Sequence, residues 1–206
     1  STTHAVFADV DGDGDQDVVT TSEQRQNRLL LNDGTGRFTD GSFSRMPPDQ
    51  LESYSVQALD IDRDGDLDLL FANRREDSIY LNDGLGYFFD VTTVLFPPQQ
   101  FLSTWTANIA VGDVDGDGDL DLMFGDEYQN DRLFLNDGTA HFTDASASHV
   151  LATTDGVPHV ELVDIDGDGD LDAVRGDDAL WLNDGTGRFT DAPPNLLPTL
   201  GEHLLI

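Results

Sequence analysis

Neither cysteine nor lysine occurs anywhere in the 206 residues, and methionine and tryptophan appear twice each. Without cysteine there is no disulfide framework, so a staple for the fold must be of another kind, and a metal ion is the obvious candidate. Ten arginines supply all the positive charge against 41 acidic side chains, which leaves a formal net charge of −31 and a pI near 4.1. A chain so short of basic groups has no patch for nucleic acid or for an anionic membrane surface. No apolar run approaches the roughly 20 residues that cross a bilayer, so direct membrane insertion by a helix is excluded. No basic leader with an apolar stretch opens the chain, and "STTHAVF" begins without methionine, as expected if a leader has been removed. Catalytic signatures are missing too: there is no H-E-x-x-H, no G-x-S-x-G and no phosphate-cradling glycine loop, and His4, His141, His149, His159 and His203 share no ligand spacing. The chain reads as a binding or structural protein, not an enzyme. Its hydrophobic content of 38% is enough to bury a core.

What the sequence has in abundance is aspartate, and it is concentrated. "DVDGDGDQD" carries Asp9, Asp11, Asp13, Asp15 and Asp17 at alternate positions. The pattern returns as "DIDRDGDLD" (Asp60, Asp62, Asp64, Asp66, Asp68), "DVDGDGDLD" (Asp113, Asp115, Asp117, Asp119, Asp121) and "DIDGDGDLD" (Asp164, Asp166, Asp168, Asp170, Asp172). The steps are 51, 53 and 51 residues, and each run is followed by a second motif, "LNDGTGRFTD", "LNDGLGYFFD", "LNDGTAHFTD" and "LNDGTGRFTD".

Within a unit the apolar stretches are too short for helices. One precedes the acidic run ("HAVFA", "SVQAL", "NIAVG", "HVELV"), one follows it, a third runs into Asn-Asp-Gly and a fourth leaves it. Asn-Asp-Gly between apolar stretches is a hairpin signal, so each unit reads as four antiparallel strands, A to D. A four-stranded sheet repeated at this period is the mark of a β-propeller blade. The expected fold is therefore all-β, with blade units at residues 4–44, 54–94, 107–148 and 158–192 in a single propeller region spanning 1–206. Residues 193–206, ending "GEHLLI", are expected to begin a fifth unit, to close a four-bladed ring, or to pair with another chain head to tail. Phe38, Phe88, Phe142 and Phe189 on strand D are expected to fill the space between blades.

Each acidic run fits D-x-D-x-D-G-x-x-D, close to the first half of an EF-hand loop, in which side chains 1, 3 and 5 point at one centre and glycine 6 permits the sharp turn. In the first run this makes Asp9, Asp11 and Asp13 side-chain ligands, gives the backbone carbonyl of Asp15 to position 7, and makes Asp17 the closing carboxylate. Hard oxygen donors in this number suit Ca2+, about four ions in all, better than Mg2+, which dehydrates reluctantly. An EF-hand proper is excluded, because position 12 is Thr20, Phe71, Phe124 or Arg175 and never glutamate, and a strand follows. The four runs hold 20 of the 41 acidic residues, so the acidity of the chain is largely the acidity of these loops.

Loop and hairpin together resemble FG-GAP/VCBS-type repeats, the calcium-binding blades of integrin α-subunit propellers and of many secreted bacterial and fungal proteins. The resemblance covers essentially the whole chain, and it implies propellers usually of about seven blades, so the four repeats are expected to be part of a longer array. Arg63 replaces a loop glycine, and Leu85 and Ala140 alter the hairpin. Loops of this kind suit roughly millimolar Ca2+, which points to an extracellular or cell-surface setting.

In a four-stranded blade the A–B ion loops and C–D hairpins share one rim, and the B–C loops and D–A linkers share the other. The ion rim is uniform between units. The opposite rim varies ("SEQRQN", "NRRED", "DEYQND", "GDD"), and varied loops on a rigid scaffold are where ligands bind. Arg74, Arg75, Trp105 and Tyr128 are the candidate ligand-binding residues there. The function expected is an extracellular calcium-stabilised scaffold for adhesion or lectin-like recognition of protein or glycan. The alternatives are a non-catalytic module of a larger secreted carbohydrate-active enzyme and a subunit of a head-to-tail assembly.

Overall fold

The computed structural model describes residues 2–193 apart from 24, 49–51, 98–104, 128, 153–158 and 177–178, so the stretch 193–206 lies, but for Pro193, outside the described residues. Each repeat folds as one antiparallel sheet of four strands in chain order. The first sheet holds β1 (Thr2–Ala8), β2 (Asp17–Ser22), β3 (Arg28–Asn32) and β4 (Phe38–Asp40). The second holds β5 (Ser53–Leu59), β6 (Asp68–Asn73), β7 (Ser78–Asn82) and β8 (Phe88–Asp90). The third holds β9 (Thr106–Gly112), β10 (Asp121–Asp126), β11 (Arg132–Asn136) and β12 (Phe142–Asp144), and the fourth β13 (Val160–Val163), β14 (Asp172–Arg175), β15 (Leu180–Asn183) and β16 (Phe189–Asp191). The acidic run is the loop between the first two strands, spanned by the pairs Ala8 with Asp17, Leu59 with Asp68, Gly112 with Asp121 and Val163 with Asp172. The Asn-Asp-Gly turn joins the last two strands and closes on Asn32 with Phe38, Asn82 with Phe88, Asn136 with Phe142 and Asn183 with Phe189. These are the four antiparallel blades of a β-propeller.

Short helical turns follow three of the blades: α1 (Ser42–Arg45), α2 (Thr92–Leu95) and α3 (Ser146–His149). They begin alike. The carboxylate of Asp40 accepts from the amide and hydroxyl of Ser42 (3.1 and 2.5 Å), that of Asp144 from Ser146 (3.0 and 2.5 Å), and that of Asp90 from the amide of Thr92 (3.0 Å). The same hydroxyls accept the amides of Leu29, Ile79 and Leu133, each at 3.0 Å, so one side chain both starts the turn and satisfies a donor of the third strand.

The core does not lie within sheets but between them. One buried cluster joins Val10, Val19 and Leu29 of the first repeat to Phe71, Tyr80 and Phe88 of the second. A second joins Ile61, Leu70 and Ile79 to Phe124, Phe134 and Phe142, and a third joins Val114, Met123 and Leu133 to Ala173, Trp181 and Phe189. The linkers contribute Met46 and Phe96 to the first two clusters and Val150 to the edge of the third. β6 and β10 are accordingly buried at every position, whereas β2 alternates buried and half-buried residues because one face of its sheet carries no neighbour.

That asymmetry corrects one expectation. Phe88, Phe142 and Phe189 do fill the space between blades at 4–6% exposure, but Phe38 is 48% exposed. At the other end Ile165 is 40% exposed, while its equivalents Val10, Ile61 and Val114 are at 1–2%. Among the described residues, the first and fourth sheets therefore do not cover each other's faces.

Candidate metal centres and the two rims

Each acidic loop is folded by its own carboxylates. Asp9 accepts from the amides of Gly12 and Gly14 at 2.9 Å each, Asp113 from Gly116 and Gly118 at 2.8 and 2.9 Å, and Asp164 from Gly167 and Gly169 at 2.8 and 3.2 Å. The glycines matter at the first of these positions because the backbone is left-handed there. In the second loop Arg63 takes the same conformation with φ of 62°, at a cost of about 1 kcal/mol. Its guanidinium reaches Asp119 of the third loop at 2.5 Å. Arg45 makes a related bridge between the first loop and the second hairpin, with Nη1 3.4 Å from Asp11 and 2.5 Å from the Leu85 carbonyl, and its guanidinium over the Tyr87 ring at 4.8 Å. Two of the ten arginines thus sit where acidic loops crowd.

The ninth residue of each run is a fully buried tie. Asp17 accepts from Val10 N (3.1 Å) and Asn32 N (2.8 Å), Asp68 from Ile61 N (3.0 Å) and Asn82 N (2.8 Å), Asp121 from Val114 N (2.9 Å) and Asn136 N (2.9 Å), and Asp172 from Ile165 N (3.0 Å) and Asn183 N (2.9 Å). One carboxylate therefore holds loop and hairpin together in every blade. The seventh residue packs at the hairpin as well: the carboxylates of Asp15, Asp66, Asp119 and Asp170 lie against Gly34, Gly84, Gly138 and Gly185, where a Cβ would overlap them. These glycines have φ of 74–80°, so both the backbone and the neighbour demand glycine.

Among the described residues, each loop brings carboxylate oxygens within 4.8 Å of one another. They come from Asp9, Asp11 and Asp13 in the first loop, and from positions one, three and nine in the others: Asp60, Asp62 and Asp68; Asp113, Asp115 and Asp121; Asp164, Asp166 and Asp172. Asp64, Asp117 and Asp168 at position five stand outside these groups, as does Asp17. Burial, followed by the charges of neighbouring aspartates, raises the carboxyls of Asp11, Asp62 and Asp115 above their ordinary range. Burial pushes Asp68 up to about 7 and Asp121 up to about 6, against the opposing pull of the two amides that each accepts. Asp11 and Asp60 each keep one buried oxygen with no protein donor. A buried, unpartnered acceptor amid like charges is the arrangement that a cation resolves, and the donor set is all carboxylate and carbonyl oxygen. The loops can hold metal ions.

The opposite rim gathers some of the residues expected there. Arg74 pairs with Glu52 at 2.6 Å and lies over the Trp105 ring at 5.2 Å, and Trp105 meets Tyr54 at 5.3 Å between ring centroids. Glu52 and Tyr54 belong to this cluster although neither was expected in it. Arg75 has its own interaction, and Tyr128 lies outside the described residues. Deeper on this side, polar pins cross each junction between sheets. Asn27 donates to Ser53 (2.8 Å), which donates to Asn73 (2.6 Å). Arg132 binds Asp126 and Asp77 (2.6 and 2.7 Å) above the rings of Phe124 and Phe134, and Arg175 binds Asp131 (2.7 Å) over Trp181.

The four first strands face one another around a cavity of about 330 Å3 lined by His4, Gln57, Asn108, His159 and Glu161, among others. Here side chains stand in for a missing strand neighbour. His4 Nδ1 accepts from Val56 N (3.3 Å), Gln57 donates to Ile109 O (3.3 Å), and Asn108 both donates to Val160 O (2.8 Å) and accepts from Val160 N (3.0 Å).

Against known proteins, the model of the FG-GAP-like repeat matches residues 9–71, 60–124 and 113–175. No curated protein sequence matches the chain. Among solved structures it is similar to an Agrocybe aegerita lectin, described for its specific recognition of non-reducing terminal N-acetylglucosamine, with a TM-score of 0.56 and 21% identity over 89% of this chain and 49% of the lectin chain. It is also similar to BBS1N as crystallised in complex with ARL6DN, with a TM-score of 0.55 and 15% identity over 92% of this chain and 56% of that one. The chain thus spans about half the length of each of these two solved structures.

Proposed function

The chain belongs to the FG-GAP-like repeat family, and from that premise we propose that it is an extracellular recognition scaffold whose blades are stabilised by Ca2+, one ion per acidic loop. The observation that carries the reading is the recurrence, in all four loops, of three carboxylates within 4.8 Å of one another. In two of the loops a buried oxygen also lacks a protein donor. Positions one, three, five and nine supply side chains to the ion, and position seven supplies its backbone carbonyl. Variable loops opposite these sites bind the partner, with Arg74, Arg75, Trp105 and Tyr128 as contact residues alongside Glu52 and Tyr54. The shared fold of an N-acetylglucosamine-binding lectin makes glycans the first partner class to test. The scaffold performs no catalysis in this reading.

Thermal melts in chelator, in Ca2+ and in Mg2+ test the ion. A ligand that binds only the folded chain raises stability by about 2.7 kcal/mol at a hundred times its dissociation constant, so Ca2+ should restore a melting temperature that chelator lowers. Identical melts would sink the calcium reading. A glycan array probed with the Ca2+-loaded chain tests the partner, and the absence of any binding there removes glycan and leaves protein.

A further inference from the structure

We propose that Arg45 and Arg63 are resident counter-cations of the acidic rim: each holds two neighbouring blades together while the loops are free of ion, and each weakens the binding of a divalent ion at the loop it touches. The inference rests on the reading of these loops as Ca2+ sites and adds to it which other residues of the chain set their affinity.

The two arginines come from unrelated places in the repeat and arrive at the same kind of spot. Arg45 ends α1, in the linker after the first blade. Its Nη1 stands 3.4 Å from Asp11 Oδ2, donates to the Leu85 carbonyl at 2.5 Å, and would be 2.9 Å from a Cβ on Gly86, so it ties the first loop to the second hairpin. The equivalent residues after the second and third blades are Leu95, which is buried in a core, and His149. Among the described residues, none of Asp62, Asp115 and Asp166, the counterparts of Asp11, pairs with an arginine.

Arg63 is the fourth residue of the second loop. Its counterparts Gly12 and Gly116 face the hairpin of the next blade: a Cβ on them would lie 3.5 and 3.6 Å from the carbonyls of Gly84 and Gly185. From that place the Arg63 side chain reaches Asp119, whose carboxylate lies against Gly138 of the third hairpin. A left-handed backbone at a residue with a side chain persists only where its surroundings hold it, and the contact across the junction is what this side chain gains. Neither guanidinium saturates its carboxylate. Asp11 Oδ1 has no donor, and the approach of Arg63 to Asp119 Oδ1 is an ion pair without hydrogen-bond geometry.

A fixed positive charge acts in opposite directions with and without the ion. Without it, the guanidinium offsets repulsion among the carboxylates and keeps the junction closed. With it, two cations share one loop. A unit charge about 8 Å from a divalent ion lowers its affinity roughly sixfold at bulk dielectric, and less as salt screens the pair. Arg45 faces Asp11, a side-chain ligand in this reading, whereas Arg63 faces a carboxylate at position seven, so Arg45 has the larger effect.

Ca2+ titration of the nitrogen-15-labelled chain at low salt, followed by amide spectra, tests this together with thermal melts in chelator. The amides of Gly14, Gly65, Gly118 and Gly169 each donate to the first aspartate of their own loop, at 2.9, 3.1, 2.9 and 3.2 Å, so each reports one loop. Arg45→Gln should tighten the first loop by about three- to sixfold and Arg63→Gln the third by about two- to threefold, with both gains shrinking at about 0.5 M salt. Both glutamine variants should melt below the wild type in chelator. Arg63→Gly, which restores the residue of the other three loops, should tighten the third loop equally. Arg45→Lys keeps the charge and should keep the weaker binding. The opposite signs distinguish this role from a structural contact, whose loss lowers the melt without strengthening the ion. Glutamine variants that bind Ca2+ no more tightly than the wild type, or melt no lower in chelator, would overturn the proposal and leave the calcium loops standing, as would a lysine variant that tightens like the glutamine one. Glycine amides that do not respond to Ca2+ in any of these chains would overturn it together with the calcium reading.

Discussion

Replacing Asp121 by asparagine tests the tie between loop and hairpin apart from any ion. The carboxylate is fully buried and accepts Val114 N with one oxygen and Asn136 N with the other, each at 2.9 Å. Asparagine has the same shape, but one of its two terminal atoms is a donor. Whichever way the amide turns, one backbone N–H faces another N–H. The substitution removes one hydrogen bond to a charged acceptor and leaves a buried donor unpaired, which together come to about 3 kcal/mol, and it relieves part of that by neutralising a carboxylate whose burial raises it to about 6. For a chain of this length each kcal/mol moves the midpoint by roughly 2–4 °C, so a fall of a few degrees, short of about 6–12 °C, is expected. The measurement is a urea and a thermal melt followed by circular dichroism in chelator at pH 8, where a carboxyl pushed up to about 6 is ionised. An unchanged or raised midpoint under those conditions would refute the reasoning. So would a loss that appears only when Ca2+ is present, because the carboxylate would then serve the ion and not the two amides.

Phe142→Ala should cost about 3–5 kcal/mol and Phe38→Ala less than about 1 in dilute solution, although the two residues are equivalent in the repeat, because only Phe142 sits in a core. Denaturant midpoints at equal m-values decide this, and equal costs would contradict the open first face. Gly84→Ala should cost about 2 kcal/mol or more by the same assay, since φ is 76° and the new methyl meets Asp66, whereas Gly36→Ala, with open space around it, should cost about 1. That second position is already Ala140 in the third hairpin. In chelator the melting temperature should fall as pH rises from 5 to 8. The folded-state carboxyls of Asp68 and Asp121 are raised to about 7 and 6, so their contribution is present at acid pH and is lost as pH climbs through those values. Saturating Ca2+ should flatten or invert that slope, because protons and the ion compete for the same oxygens; chelated melts that are level across the range would count against buried, ion-free carboxyls.

The strands, the acidic loops and the hairpins were legible in the sequence because each is written within ten residues: alternate aspartates, a glycine at the turn, Asn-Asp-Gly between apolar stretches. The single helical turns were not, since four residues carry no periodicity. Their signal is the aspartate followed two residues later by serine or threonine in "DGS", "DVT" and "DAS", which the fourth unit replaces with "DAP". The polar pins were also hidden. Arg132 and Asp77 are 55 residues apart, and only the packing of two sheets makes them partners. Trp105 reads from sequence as a candidate ligand-binding residue, and in the structure Tyr54 and Arg74 already lie against it. Phe38 is the opposite case, a position whose role depends wholly on whether another blade arrives.

Placing the hydrophobic clusters between sheets separates the unit of inheritance from the unit of stability. A segment of 51 or 53 residues is what the sequence repeats, yet what resists unfolding is a seam made of half of one segment and half of the next. Gaining or losing a whole segment substitutes one seam for another of the same plan, so arrays of this kind can change length by unequal exchange without any core having to be redesigned.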